Sequence, residues 1–316
     1  MDVSIIIPVY NAEKYIKKAI ESCLQLSEVK EIIVIDDGYK DGAKKIVQAM
    51  AEKHDIIKLY EHPNNENKGP GASRNLGIEK TSQEYIAFLD ADDFFLPWRF
   101  VKDAEVFKLN PEADGCYNAI GSHFYSDKAM ETFFKHFKSN ITTVNKDAAP
   151  TPENLFGGLI GIVPNYGYFS LDGLTLKRNF LLNNNIHFPD LTVHQDTVFI
   201  FKIAYYGKLY PSEIDSPVTL RGVHEENRIT SNYEQKKKKQ YKNRFLMWNS
   251  LYEWGKQEHM NKDVLKQFKQ QTNLYRVLSA SNPSLSDLII PVFSNVKILL
   301  NSNYRNLFYS RFKMRF

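Results

Sequence analysis

Asp36-Asp37-Gly38 follows the apolar run Ile32-Ile33-Val34-Ile35, and Asp90-Ala91-Asp92-Asp93 follows Tyr85-Ile86-Ala87-Phe88-Leu89. A charge left unpaired at the end of a buried strand is strongly disfavoured. In open α/β sheets, however, the carboxyl ends of the strands are where ligands bind. Two acidic clusters at two such ends predict a crevice for a metal ion and a sugar-bearing ligand. Each cluster also has a plainer reading. Asp-Gly is a common turn pair, and residues 90–93 read equally well as a solvated strand end or a helix cap.

Two common alternatives are missing. Pro8-Val9-Tyr10-Asn11 stands where a Gly-x-Gly-x-x-Gly fingerprint would follow the first strand, and the chain has no Walker A sequence. This argues against a dinucleotide oxidoreductase and a P-loop NTPase. Acidic groups bind a diphosphate only through a metal, and hard oxygen ligands suit Mn2+ or Mg2+.

The elements that must position these groups alternate. Val3 to Val9 is almost continuously apolar and β-branched, the pattern of a buried strand. Asn11 is placed to cap a helix from Ala12 to about Leu26, with Tyr15, Ile16, Ala19, Ile20 and Cys23 on one face. Strands over Glu31 to Ile35, Ile56 to Tyr60 and Tyr85 to Leu89 are separated by helices from about Asp41 to Lys53 and about Gly71 to Lys80. A further helix is expected to start at Pro97. This alternation predicts right-handed crossovers and a mainly parallel sheet. Beyond Cys116 the pattern predicts loops around short strands, including Ser170 to Lys177. A helix from Asp196 to Tyr206 is closed by Gly207, and a largely helical stretch from Tyr233 to Leu278 breaks near Gly255.

Composition sets outer limits. The 316 residues carry a net charge of only +4, too small an excess to imply a nucleic-acid partner. Cys23 and Cys116 stand far apart without ligand spacing, which predicts no disulfide scaffold or zinc site and fits a cytoplasmic setting. The N-terminus runs straight into a strand without the basic region of a signal peptide. No apolar run reaches the roughly 18 residues of a membrane span.

Four segments occur in order: Ser4-Ile5-Ile6-Ile7-Pro8-Val9-Tyr10-Asn11, Ile35-Asp36-Asp37-Gly38, Gly71-Ala72-Ser73-Arg74-Asn75-Leu76-Gly77 and Phe88-Leu89-Asp90-Ala91-Asp92-Asp93. Together they resemble the family 2 glycosyltransferases, inverting enzymes of the GT-A fold. The resemblance is strongest over roughly the first 110 residues and extends more weakly to about residue 232. It implies an α/β GT-A fold with a mainly parallel central sheet flanked by helices. The catalytic domain would span 1–225, with a nucleotide-sugar half, 1–115, and an acceptor half, 116–225. A helical extension would occupy 226–316.

The resemblance further implies that Pro8, Val9 and Tyr10 line the nucleotide base pocket and that Asp37 hydrogen-bonds the base. Arg74 would lie near the donor, on a helix whose N-terminus favours an anion. Asp90 and Asp92 form the Asp-x-Asp element, Asp90 facing the ribose or sugar and Asp92 binding the metal. Tyr39-Lys40 depart from the family pattern, which has small hydroxyl residues there.

An inverting transfer also needs a carboxylate to take the proton of the attacking hydroxyl. The resemblance assigns this to Asp196, in Val193-His194-Gln195-Asp196-Thr197-Val198-Phe199, where family members carry Glu-Asp and this chain has Gln195 in place of the Glu. Read alone, Asp196 is a helix cap, and a helix N-terminus stabilises its carboxylate in either role. Arg221-Gly222-Val223-His224 with Arg228-Ile229-Thr230-Ser231-Asn232 resembles the loop that closes the domain. His224 completes the metal shell, touches the diphosphate or is simply solvated. Asn165-Tyr166-Gly167-Tyr168-Phe169 reads as a sugar-stacking surface or as core. From Leu288 to Phe316 there is no acidic residue, but Lys297, Arg305, Arg311, Lys313 and Arg315 lie among aromatics. This fits an anionic membrane surface or a helix packed on the catalytic domain.

The expected function is metal-dependent transfer of a sugar from a nucleotide-diphosphate donor, a UDP-sugar first, to a glycan or lipid-linked saccharide. The expected setting is bacterial surface polysaccharide or glycolipid assembly at the inner face of the membrane. The alternative is a nucleotide-sugar-binding protein without turnover, supported by Gln195 and Tyr39-Lys40. A phosphatase of the haloacid-dehalogenase type would carry its Asp-x-Asp on the first strand, followed by Thr or Val. Here it follows the fourth strand, with Phe94 at that place.

Overall fold

In a computed structural model of the chain, described over residues 1–38, 40–144, 151–163, 167–225, 237–280, 283–294, 298 and 300–311, the described residues form ten strands and twelve α-helices. The larger sheet is built from β1 (Val3–Val9), β2 (Val29–Asp36), β3 (Ile57–Glu61), β4 (Tyr85–Phe88), β6 (Gly115–Tyr117), β8 (Leu174–Lys177) and β9 (Leu209–Pro211). Its order is β3-β2-β1-β4-β8-β6-β9. β1 runs parallel to β2 and β4, and β2 to β3. β8 is inserted antiparallel to both β4 and β6. A smaller sheet joins β5 (Phe94–Phe95), β10 (Thr219–Val223) and β7 (Ile120–Phe124), with β10 in the middle.

Buried on both faces, β1 and β2 form the spine of the main core together with Ile16, Ala19, Ile20 and Cys23 of α1 (Ile16–Leu24) and Val47 of α2 (Ala43–Ala51). α3 (Gly69–Lys80) packs on β1 and β2. Cys23 and Cys116 are both buried free thiols.

Several boundaries differ from the sequence pattern, each for a local reason. α1 starts at Ile16 with Tyr15 as its N-cap, not at Ala12. Asn11 has φ 50°, and its side-chain oxygen accepts the Lys40 N–H at 2.9 Å, so it ties two loops together rather than capping the helix. α3 begins earlier than expected, at Gly69, because Pro70 fits the first turn. Pro97 starts no helix; α4 begins at Val101 and ends at Leu109. The first part of the expected strand from Ser170 is a 3-10 turn, Leu171–Gly173. Gly255 lies inside α9 (Lys237–Gln257), and the break comes just before α10 (Lys262–Ser279), where the Asn261 side chain accepts the Val264 N–H at 2.9 Å.

The chain divides into two units, Met1–Asp190 with Phe199–Ser231, and Leu191–Val198 with Asn232–Phe316. In the second unit, α10 shares a core with α11 (Leu285–Ser294) and α12 (Ser302–Arg311) through Leu274, Val277, Leu278, Leu288, Ile298 and Tyr304. The Tyr304 hydroxyl donates to the Leu288 carbonyl at 2.5 Å. The described part of the acid-free tail thus packs on α10. Among the described residues, no helix is long and apolar enough to cross a membrane.

Candidate active site

β1 has β2 on one side and β4 on the other, and the first two crossovers run to the β2 side while the next returns to the β4 side. This reversal makes the carboxyl end of β1 a switch point, the usual ligand position in open α/β sheets. Both acidic clusters leave the sheet beside it. Val9 pairs in register with Asp36, and Leu89 donates its N–H to the Ile6 carbonyl at 3.0 Å. Pro8 and buried Val9 end β1, and the exposed ring of Tyr10 follows.

At the end of β2, Asp36 accepts the Gly38 N–H at 2.9 Å, closing the turn. Gly38 has φ +74°, and a Cβ there would lie 2.6 Å from the Asn65 carbonyl, so the turn requires glycine. Asp36 is buried, and desolvation pushes its carboxyl up to about 6. The Asp37 backbone N–H is held by the Val9 carbonyl at 2.9 Å. Its Oδ1 accepts the N–H groups of Lys68 at 2.7 Å and Gly69 at 3.0 Å. Asp37 therefore fixes the start of α3, an anion at the positive end of the helix. Buried His62 places Nε2 2.9 Å from Ser73 Oγ and 3.7 Å from Asp37 Oδ1, and burial lowers its pKa.

At the end of β4, α3 returns to the site. Arg74, almost fully buried, pairs with Asp90 through Nη2 and lies over the Phe188 ring at 5.5 Å. Asp92 Oδ2 lies 3.2 Å from His224 Nε2. The His224 ring stacks on Tyr15, 4.6 Å between centroids. Gly222, two residues before His224, donates its N–H to Asp93 Oδ1 at 2.8 Å. A Cβ at Gly222 would fall 2.1 Å from the Asp92 carbonyl oxygen, so only glycine lets β10 approach this loop. Carboxylate oxygens of Asp90, Asp93 and Asp172 lie within 4.8 Å of one another. Burial, and then the neighbouring carboxylates, push Asp93 well up and Asp172 to about 6; burial and Asp90 raise Asp92.

The site thus brings Asp90, Asp92, Arg74 and His224 together, with Asp37 on the other flank of β1. Arg74 meets Asp90 rather than standing open to solvent. Asp196 lies in the first turn of α8 (Gln195–Tyr206), inside the helix rather than before it, and accepts the Thr197 N–H at 2.8 Å. It belongs to the second unit, in the segment Leu191–Val198. Gln195 beside it is buried. Tyr39, Asn165, Tyr166 and residues 228–232 lie outside the described residues. Tyr168 and Phe169 are described, and buried Phe169 stacks on Tyr117 at 4.5 Å, which makes it core.

No local signal marks Asp93, Asp172, Tyr15 or Gly222 as a site residue, although Asp93 lies in the Asp90–Asp93 cluster, Gly222 in the Arg221–His224 segment and Tyr15 on the apolar face expected of the first helix. Asp172 stands in an Asp-Gly pair beside a buried strand, like Asp37-Gly38. The donor set of carboxylate oxygens with one imidazole fits a hard or borderline divalent cation such as Mg2+ or Mn2+.

Residues 4–160 match the model of glycosyl transferase family 2. An uncharacterised glycosyltransferase of Haemophilus influenzae is 47% identical over 93 residues, 29% of this chain and 36% of that protein. The minor teichoic acid biosynthesis protein GgaA of Bacillus subtilis is 42% identical over 104 residues, 29% of this chain and 22% of that protein. The chain thus matches about a third or less of the length of these curated relatives. The crystal structure of Staphylococcus aureus TarS 1-349 in complex with UDP-GlcNAc superimposes with a TM-score of 0.59 at 19% identity, covering 100% of this chain and 93% of that one. This likeness shows the fold, which is GT-A with a mostly parallel central sheet. Residues 4–160 make this chain a member of glycosyl transferase family 2.

Proposed function

We propose that this chain is an inverting glycosyltransferase that moves a sugar from a UDP-sugar to a hydroxyl of a glycan or lipid-linked saccharide. The observation that carries the reading is the pair of acidic strand ends flanking β1 at the point where the strand order reverses. TarS, of the same fold, was crystallised with UDP-GlcNAc, and GgaA is named for teichoic acid synthesis, which supports a UDP donor and a surface-polymer acceptor.

In this reading Pro8, Val9 and Tyr10 bound the base pocket beside Asp37. Asp92 and His224 would hold the cation, with Asp90 beside them. When bound, a divalent cation neutralises charge on the diphosphate. Arg74 orients the Asp90 carboxylate, and the Tyr15 ring orients the His224 imidazole. The acceptor oxygen forms a bond to the anomeric carbon as the bond from that carbon to the diphosphate oxygen breaks on the opposite face. Asp196 takes the hydroxyl proton, and the nucleoside diphosphate leaves with the bonding pair. The domain limits 1–225 and 226–316 belong to this reading. The basic, acid-free tail suits an acceptor held at an anionic membrane surface, which sedimentation with anionic vesicles tests.

The direct test incubates the protein with UDP-, GDP- and dTDP-sugars and an acceptor extract, with and without manganese, and measures nucleoside diphosphate release. Release from UDP-sugars that requires manganese is expected. Release only from another nucleotide's sugars corrects the donor; binding without release makes the chain a nucleotide-sugar-binding protein. Asp196→Asn is expected to lower turnover by about 10²- to 10⁴-fold. Full turnover in that variant removes Asp196 as the base.

A further inference from the structure

We propose that Asp172 is a positioning residue of the Asp-x-Asp loop: its carboxylate fixes the Asp90 backbone and so sets Asp90 and Asp92 for the cation and diphosphate. The consequence for the cation rests on the function proposed above; the effect on the backbone does not.

Asp172 lies 82 residues beyond Asp90, outside the Asp-x-Asp motif it serves. Leu89 makes the last sheet bond of this segment, to Ile6. Asp90 is the first residue past it, and its N–H is taken by Asp172 Oδ1 at 3.1 Å. The Asp90 carbonyl accepts the Asp93 N–H at 3.0 Å. Both backbone groups of Asp90 are therefore held, one by the loop itself and one by a side chain from a distant turn.

That turn is fixed on several sides. The other Asp172 carboxylate oxygen accepts Ser170 Oγ at 3.2 Å, and the Asp172 carbonyl accepts Thr219 Oγ1 at 2.8 Å. The Gly173 carbonyl accepts both the backbone N–H of Asn118, at 2.9 Å, and its Nδ2, at 2.8 Å. Asn118 Nδ2 also donates to Asp103 Oδ1 at 2.9 Å. Asp103 Oδ2 in turn accepts Arg99 Nη1 at 2.8 Å and Thr175 Oγ1 at 2.6 Å. Asp103, Asn118, Asp172, Thr175 and Thr219 are all buried. Apart from Arg99 Nε, which has no hydrogen-bond partner, the groups named here are bonded to one another, and a buried network of this kind rigidifies the turn. Asp172 thus transmits the position of the sheet interior to a loop that carries its own carboxylates. Outer partners of this type commonly set metal affinity by 10- to 100-fold.

The experiment compares Asp172→Asn with Asp172→Ala. Asparagine keeps an acceptor for the Asp90 N–H and can donate to Ser170 Oγ, but it removes the charge. Alanine removes both contacts. Hydrogen exchange of peptides covering residues 88–94 reads the backbone directly. Manganese binding without nucleotide, followed by electron paramagnetic resonance, reads the loop's consequence. In folded Asp172→Ala, exchange is expected to rise and manganese affinity to fall by about tenfold or more, while Asp172→Asn stays within about threefold of the unsubstituted protein.

Unchanged exchange in folded Asp172→Ala overturns the proposal. Equal loss of manganese affinity in both variants also overturns it, because charge and not position would then be at work. Should Asp172→Ala fail to fold, Thr219→Val, which releases the Asp172 carbonyl and keeps the carboxylate, is expected to raise exchange over 88–94 severalfold; unchanged exchange there counts against the proposal. If the unsubstituted protein binds no manganese without nucleotide, the cation site proposed above fails, and exchange alone still decides the role of Asp172.

Discussion

At the end of β2 the carboxylates are occupied by backbone: Asp36 closes its own turn and Asp37 holds the first amides of α3. At the end of β4 they face other side chains: Arg74 on Asp90, His224 on Asp92, and carboxylates of Asp90, Asp93 and Asp172 close together. The same residue type at equivalent strand ends therefore does two kinds of work. The first end is a scaffold that fixes a helix, and that helix delivers Arg74 to the second. The second gathers carboxylates, where the proposed cation would sit. Chemistry should therefore depend steeply on the β4 end, and stability on the β2 end.

Asp92→Asn gives the largest expected effect on activity. It keeps the shape and removes the charge beside His224, so turnover in the nucleotide-sugar assay is expected to fall by about 10²- to 10³-fold with little change in melting temperature. Retained turnover would break the contrast at its stronger side. Gly222→Ala comes next and mixes the two effects. Its Cβ must displace the Asp92 carbonyl, so a stability loss of about 1–3 kcal/mol in urea titration is expected together with reduced turnover. A variant that loses only stability would show that the β10 contact does not set the loop.

How much of this was legible in the sequence follows the range of the interactions. The parallel spine and the two acidic strand ends were readable because unbroken β-branched runs and Asp-Gly turns are local signals. The Asp92–His224 proximity was anticipated only through the family resemblance. Asp172 is not legible, since an Asp-Gly pair before a short strand signals a turn and does not reveal a partner 82 residues away. Asn11 misled for a related reason: a residue of N-cap type before a helical pattern can equally accept from a distant amide, here that of Lys40. The Ser170 stretch misled as well, because its apolar residues continue through a 3-10 turn without any change of pattern.

Asp37→Ala tests the weaker side of the contrast. Two amides, Lys68 and Gly69, lose a buried acceptor, so a stability cost of about 1–3 kcal/mol is expected, with Asp37→Asn closer to the unsubstituted protein. If Asp37→Ala instead abolished donor binding at unchanged stability, the residue would be a ligand contact before a scaffold.

Asp36→Asn leaves activity least affected and gives the most specific effect, because it depends on pH. Burial raises the Asp36 carboxyl from an ordinary 3.8 to about 6 in the folded chain, partly offset by the Gly38 N–H and by Lys44. Between those values the folded state binds more protons at this site than the unfolded state does, so this group makes stability fall as pH rises from about 4 to about 6. Above that window the penalty is constant; below it, both states are protonated and it vanishes. Asparagine keeps the acceptor for Gly38 without ionising. Asp36→Asn is therefore expected to match the unsubstituted protein near pH 4 and to exceed it at pH 7, by up to about 3 kcal/mol if the whole shift is expressed, in urea titrations. A difference of the same size at both pH values would mean that packing, and not ionisation, separates the two side chains.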